Sequence, residues 1–366
     1  MSSHHFTSES VCAGHPDKIA DQISDAILDA ALRQDPFSRV AVETLVTTNR
    51  VILAGEITTQ AKLPYRKIVH QQLQRLGYTQ PNFQFGDYSP ITVLIHQQSP
   101  EIAVGVDQEG AGDQGMMFGF ACKETPQLMP APIVIAHQLA RQIDEVREKK
   151  ILTYLRPDGK TQVTLRYENG NPVAVETVVI AVPHDEKVSL EQVKSDIFAK
   201  VIAPVLKAFF YEVKLEQVIV NGTGVWHIGG PAADTGLTGR KIIVDGYGGY
   251  ARVGGGCFSG KDPTKVDRSG AYAARYLAKK IVSEGWAERA EVGLAYCIGQ
   301  TQPVMKSIET FGTETVSEGA LRDFVDACLD TSVRGIIEKL DLRRPIYLPT
   351  AAYGHFGKPE LPWEMT

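Results

Sequence analysis

No cysteine pair, no long apolar run and no strong excess of one charge marks this chain. Its five cysteines, Cys12, Cys122, Cys257, Cys297 and Cys328, are odd in number, and no two stand at CxxC spacing. That argues against a disulfide framework and against a zinc site, and it fits a reducing compartment. No apolar stretch approaches the roughly 18 residues that would span a bilayer. The opening MSSHHFTSES is polar, without the apolar core of a secretion signal. These absences together predict a cytoplasmic protein that meets no membrane. His4 and His5 read as part of a solvated terminus. The net charge is only −5, so no basic field recruits nucleic acid, and an anionic substrate has to be caught by local groups of Lys and Arg.

What is present is an ordinary globular composition, 43% hydrophobic and 22% charged over 366 residues, a length that predicts two or three domains. One layout recurs three times: strand, polar turn, strand, amphipathic helix. In the first, Val40–Val46 and Val51–Ile57 flank TTNR, and a helix through Ile68, Val69, Leu73 and Leu76 ends at Gly77. In the second, Gln162–Tyr167 and Val173–Val182 flank ENGN, and a helix opens at Ser189 with Gln192 three residues on. In the third, Glu291–Ile298 and Val304–Thr310 flank GQTQP, ahead of a helix through Leu321, Phe324, Val325 and Cys328. The units begin near residues 39, 161 and 290, so the pattern predicts an α+β protein of three similar domains. Between the first two lies SPEIAVGVDQEGAGDQG, glycine-rich and without helical periodicity, which reads as a loop.

Four segments carry candidate chemistry. GGGCFSGKDPTKVD (254–267) has the glycines of a phosphate-binding loop, and Gly255 to Lys261 fit its spacing. Asp262 stands where that loop needs Ser or Thr, so a P-loop fold is excluded. A glycine-rich turn remains, with Lys261, Lys265 and Asp267 gathered at the start of a helix, a favourable place for phosphate and Mg²⁺. GHPDK (14–18) opens another helix, with Pro16 at its first position and His15 and Asp17 beside it. Ile19, Ile23, Ala26, Ile27 and Ala30 predict its buried face; Asp17, Asp21, Asp25 and Asp29 recur every fourth residue and read mostly as a solvated face. GLTGRK (236–241) sets Arg240 and Lys241 before IIVD, read as an apolar strand. GAGDQG (110–115) places Asp113 among three glycines.

Taken together, these motifs resemble the S-adenosylmethionine synthetases, or methionine adenosyltransferases. The likeness runs from FTSESV (6–11) to AAYGHFG (351–357), with GAGDQG and the glycine-lysine segment as the most specific peptides. It implies three α+β domains about a pseudo-threefold axis, here 1–98, 113–228 and 229–366, with a mobile gate at 99–112. It implies a homodimer, often paired into a tetramer, with active sites shared between subunits. Methionine sulfur would attack C5′ of ATP, and the triphosphate would then be hydrolysed to pyrophosphate and phosphate. Carried over residue by residue, the resemblance implies two Mg²⁺ held by Asp17 and Asp267 and one K⁺ held by Glu43. His15, Lys160, Arg240, Lys241, Lys261 and Lys265 would face the phosphates, and Asp113 the sulfonium. Glu56, Gln98, Asp113, Asp234 and Lys265 would hold methionine. Asp158, Trp226, Asp234 and Cys257 would lie by the nucleotide. The chain departs from the family's usual pattern at Cys12, Ala13, Val225, Trp226, Val253 and Cys257, and its gate is short.

Overall fold

The three hairpins and their helices are present in the computed structural model, which describes residues 3–97 and 110–365. The first segment runs β1 (Ser3–Val11), α1 (Pro16–Leu32), β2 (Arg39–Thr47), β3 (Arg50–Thr58), α2 (Tyr65–Leu76) and β4 (Ile91–His96). The second runs β5 (Gly115–Cys122), α3 (Ala131–Glu148), β6 (Lys160–Glu168), β7 (Asn171–Ala181), α4 (Leu190–Ile197), α5 (Ala203–Ala208) and β8 (Val218–Val220). The third runs β9 (Gly236–Leu237), α6 (Ile242–Asp245), α7 (Val266–Ser283), β10 (Arg289–Tyr296), β11 (Met305–Glu309), α8 (Glu318–Cys328) and α9 (Val333–Lys339).

Local chemistry accounts for the hairpins. Asn169 and Gly170 both take positive φ, 51° and 80°, as a two-residue turn between twisted strands requires. Gly77 ends α2 in the left-handed region, and the Ser189 hydroxyl caps α4 by accepting the Gln192 N–H. Alternation does the rest: Val40, Val42, Thr44 and Val46 are buried on one face of β2, and Glu43 is exposed on the other.

The strands that the repeat did not predict explain how the three units close on one another. The sheets have the orders β1-β6-β7-β8, β11-β10-β5 and β4-β3-β2-β9. Each hairpin thus accepts a strand from another segment: β1 joins the second hairpin, β5 the third, and β9 the first. The loan runs once around the ring, so no sheet is complete within its own stretch of sequence. Each of the three long helices packs on the sheet of its own hairpin: α1 on β2, α3 on β6, α7 on β10. His4 and His5 are exposed, as the solvated reading expects, although they lie within β1, paired with β6, and His4 stacks on Tyr167 at 5.0 Å. One expectation is corrected here. IIVD is the short helix α6: Asp245 N–H donates back to the Lys241 carbonyl at 2.8 Å, and an apolar run of four cannot distinguish strand from helix by periodicity.

The first sheet has one face that no helix covers among the described residues. Away from α1, the first sheet presents Glu43, Leu45, Ile52, Ala54, Glu56, Leu94 and His96, exposed or half-buried. Among the described residues, no helix is long and apolar enough to cross a membrane.

Candidate active site

Helix α1 is the rail on which the candidate site hangs. Every residue in it except Ala30 is buried, which overturns the solvated reading of its aspartate row. The row stays buried because each carboxylate has been given its own partners. Asp17 accepts Leu237 N–H (2.9 Å) and Lys241 Nζ (2.5 Å). Asp21 accepts Gly239 N–H (2.9 Å) and Lys18 Nζ (2.7 Å). Asp25 takes a bidentate Arg268 at 2.7 and 2.8 Å, with Gly260 N–H and the Ser259 hydroxyl. Asp29 accepts Tyr347 and Leu348 N–H. A row repeating every fourth residue descends about 6 Å per step, so α1 fixes three chain segments, 236–241, 259–260 and 347–348, at set heights.

Two of those segments line the edge of β2 opposite β3. Leu237 pairs with Leu45, while Ala41 faces Lys261, flanked by Val42 N–H to Gly260 carbonyl (3.1 Å) and Asp262 N–H to Val40 carbonyl (3.0 Å). Four strand residues separate the two, about 13 Å. This matches the height between Asp17 and Asp25 on the helix, about 12 Å.

The upper segment carries the first cluster. Gly236 has no room for a Cβ against the Pro16 carbonyl and Asp17 amide, so loop 236–241 lies directly on the start of α1. There the His15 ring accepts the Asp17 N–H through Nδ1 at 3.2 Å. Burial, followed by the Lys241 charge, pushes the His15 ring down to about 3, so the imidazole is neutral at physiological pH. Burial opposes the charge on Asp17, but the Lys241 ammonium and Leu237 N–H outweigh it and hold the carboxyl below its usual range. Arg240 stands half-exposed, its Nε 3.7 Å from Asp17. Lys160, exposed at the head of β6, is close enough for its charge to act on His15. Beneath them Lys18 bridges Asp21 and Asp245 (2.7 and 2.5 Å), all three buried. This support was not singled out from the sequence, although a row of four acids on a helix with an apolar face was its signal.

The lower segment carries the second cluster. Lys261 Nζ meets Asp267 at 2.5 Å in the first turn of α7. A Cβ on Gly256 would overlap the Asp267 carboxylate, so the glycine lets the backbone pass beside it. Burial works against the Lys261 charge, yet Cys257, Asp267 and Asp113 more than offset it and hold the ammonium above its usual range. Asp113 is exposed and within electrostatic reach of Lys261. It is placed by Ala111, which exchanges backbone hydrogen bonds with Gln300 and Gly299 in the β10–β11 turn (both 2.8 Å). Lys265 instead turns to buried Asp262 (2.6 Å), whose oxygens also hold Val40 N–H and Thr264. Cys257 packs against Gly239, where a Cβ would come within 2.5 Å of its own Cβ, so the two clusters touch through it; burial pushes its thiol up. Consistent with the exclusion of a P-loop, no helix begins until Val266.

The remaining candidates form no ion pair with these two groups among the described residues, although Glu43 lies within electrostatic reach of Lys261 and Asp158 within reach of Lys160. Glu43 lies on the uncovered sheet face, pushed up by burial and by Glu56, while Glu56 itself is 3.2 Å from His96. Asp158 is buried, accepting Gly159 and Gly230 N–H (2.7 and 2.8 Å), and burial pushes it up to about 6. Its bond to Gly230 ties it to the turn that leads to exposed Asp234. Trp226 is held by an indole N–H to the Ile228 carbonyl (2.6 Å) and by its own carbonyl accepting His184 N–H (2.9 Å). Gln98 and gate residues 99–109 lie outside the described residues.

Among the described residues, no three His, Cys, Asp or Glu side chains converge as a metal cage. The donor set nevertheless suits Mg²⁺ brought in with a polyphosphate, which needs only one or two protein carboxylates. Asp17 and Asp267 each stand in a helix first turn with an ammonium ion on one oxygen.

Comparison with known families matches the chain along nearly its whole length. The N-terminal domain of S-adenosylmethionine synthetase matches residues 3–100, its central domain 108–226, and its C-terminal domain 228–365. The chain belongs to the S-adenosylmethionine synthetase family; it is a transferase that makes S-adenosylmethionine from ATP and methionine.

Proposed function

Starting from that membership, we propose how this chain's residues divide the reaction. The methionine sulfur attacks C5′ of ATP; the S–C5′ bond forms, the C5′–O bond breaks, and its electron pair leaves with the triphosphate. Water then cleaves the bound triphosphate to pyrophosphate and phosphate. The observation that carries this reading is the pairing of two cation–carboxylate clusters on one strand edge, each at a helix N-terminus.

Charge develops in two places during the displacement, and the clusters suit both. The polyanionic leaving group is met by Lys241, Arg240 and Lys160 from the first cluster and by Lys261 from the second. Neutral His15, whose Nδ1 accepts the Asp17 N–H, donates a hydrogen bond there through Nε2 without adding charge. Lys265, held by Asp262, stiffens the segment that presents Lys261 and can turn toward substrate. Asp113 faces the sulfur as it becomes cationic. All of this is electrostatic stabilisation by groups fixed beforehand, with no covalent intermediate. Two Mg²⁺ held by Asp17 and Asp267 would neutralise phosphate oxygens, and K⁺ at Glu43 would quiet the repulsion between Glu43 and Glu56. Glu56, Asp234 and Gln98 are assigned to methionine, and Trp226, Asp158 and Cys257 to the nucleotide, with the indole offering a face for the adenine.

The uncovered face of the first sheet supports a homodimer, two copies burying Leu45, Ile52, Ala54 and Leu94 against each other, with sites shared across the seam and a tetramer as the further assembly. The chain's segments 1–98, 113–228 and 229–366 act as three domains, with 99–112 as the gate and the cytoplasm as the place of action. The test is release of phosphate and pyrophosphate from ATP in Mg²⁺ and K⁺, with mass analysis of the adenosylated product. Equal, methionine-dependent amounts of all three are expected; triphosphate or phosphate release that ignores methionine would overturn the assignment.

A further inference from the structure

Away from both clusters, one cavity gathers Arg39, Arg334 and Arg343 around a single carboxylate, Glu338, among the described residues. It measures about 450 Å³ and lies between the entry to β2 and helix α9, walled by Phe37, Arg39, Thr264, Ile337, Glu338 and Arg343 among others. Arg39 Nη1 is buried and has no hydrogen-bond partner among the described residues. The Arg343 guanidinium lies 4.5 Å from the centre of the Phe37 ring and donates to the Pro36 carbonyl at 3.4 Å. The nearby carboxylates are already engaged: Glu338 with Arg334 at 2.7 Å, and Asp262 with Lys265 at 2.6 Å. Among the described residues, no carboxylate pairs with Arg39 or Arg343. Burial, followed by the Arg39 charge, holds Arg343 below its usual range, the sign of two guanidinium groups kept close together.

A buried donor left unmet is costly, and two like charges in one cavity add to that cost. A small oxyanion removes both penalties, because a guanidinium fork matches the oxygens of a phosphoryl group in pairs. Exposed Phe37 and buried Ile337 form the apolar side of the cavity, the Phe37 ring lying against Arg343. We propose that this cavity is a binding site for a phosphate-class oxyanion, distinct from the Lys241 and Lys261 clusters. Thr264 stands in its wall and bonds Asp262, the partner of Lys265. An anion seated there therefore touches the back of the segment that presents Lys261.

Equilibrium dialysis decides it, with inorganic phosphate and pyrophosphate run separately on the full chain, up to about 10 mM. In a Lys241→Met/Lys261→Met background, which weakens both clusters, a phosphate or pyrophosphate site is expected to remain. Adding Arg39→Gln or Arg343→Gln should weaken it at least about tenfold. Arg343→Lys should weaken it less, since the charge stays and the fork is lost. Whichever of the two anions binds tighter identifies the occupant. Binding that survives both arginine substitutions unchanged, or no binding in the Lys241→Met/Lys261→Met background, overturns the proposal. Should Arg39→Gln fail to fold, half-exposed Arg343 carries the comparison alone.

Discussion

At the scale of single residues, charge is placed by neighbours more than by the residue itself. Asp113 is exposed and accepts the Gln114 N–H, while Ala111 pins the backbone beside it. Replacing Asp113 by Asn keeps the shape and removes the charge proposed to meet the sulfonium. Turnover should fall by about 10²–10³-fold with ATP binding unchanged; unaltered turnover would remove Asp113 from that role. A second residue reports on the interior. His137 is buried, accepts from or donates to the Ser10 hydroxyl at 2.8 Å, and is pushed down to about 3, by burial first and then by Lys358. In the unfolded chain the ring titrates near 6.5. Between those values the unfolded chain binds the extra proton, so this stabilisation is present above 6.5 and is lost as pH falls toward 3. From pH 7 to pH 5 the loss is roughly 2 kcal/mol. Asp29 and Asp158, pushed up to about 6, act with the opposite sign, so the comparison must be with a His137→Gln variant, in which they are unchanged. Urea midpoints should show the stability gap between wild type and variant moving against the wild type by that amount on acidification; a constant gap would mean that the ring is not held neutral.

Individual elements show where sequence and structure part. The hairpins and their helices were legible because alternation, an Asn-Gly turn, a terminal glycine and a serine cap are all local signals. The lent strands were not: β1, β5 and β9 pair with partners more than 100 residues away, and a two-residue strand such as Gly236–Leu237 has no periodicity to read. The residues of the site were largely named through the resemblance, whereas their support was misread. A helix with an apolar stripe implies a wet opposite face, but α1 is enclosed on that side by loops 236–241 and 259–262 and by residues 347–348. The aspartates are the price of that enclosure and also its glue. Asp25→Asn tests the point. It removes one charge from a pair in which Arg268 and Asp25 are both fully buried, leaving a guanidinium without its counter-ion. Denaturant unfolding should show a loss of about 3–5 kcal/mol, and a double replacement with Arg268→Met should recover part of it. A loss within about 0.5 kcal/mol would mean that α1 does not hold the loops through this pair.

For the whole molecule, the question is which chain supplies which half of a site. The strand exchange closes the three units into one ring, and the two clusters come out side by side on one edge of the first sheet. No ion pair joins them among the described residues, and each offers a single carboxylate for metal. The same sheet carries the uncovered face. If two copies meet there about a twofold axis, the Lys241 cluster of one copy and the Lys261 cluster of its partner can close on one triphosphate, and symmetry provides the site twice. Subunit mixing separates this from a site built within one chain. Lys241→Met and Lys261→Met homodimers should each be nearly inactive. When the two variants are co-expressed, half of the dimers are mixed, and each mixed dimer has one site with both lysines intact and one with neither. Activity should therefore return to about a quarter of the wild-type value per chain. Were both lysines of a site to come from the same chain, every site in the mixture would lack one of them, and co-expression would restore nothing.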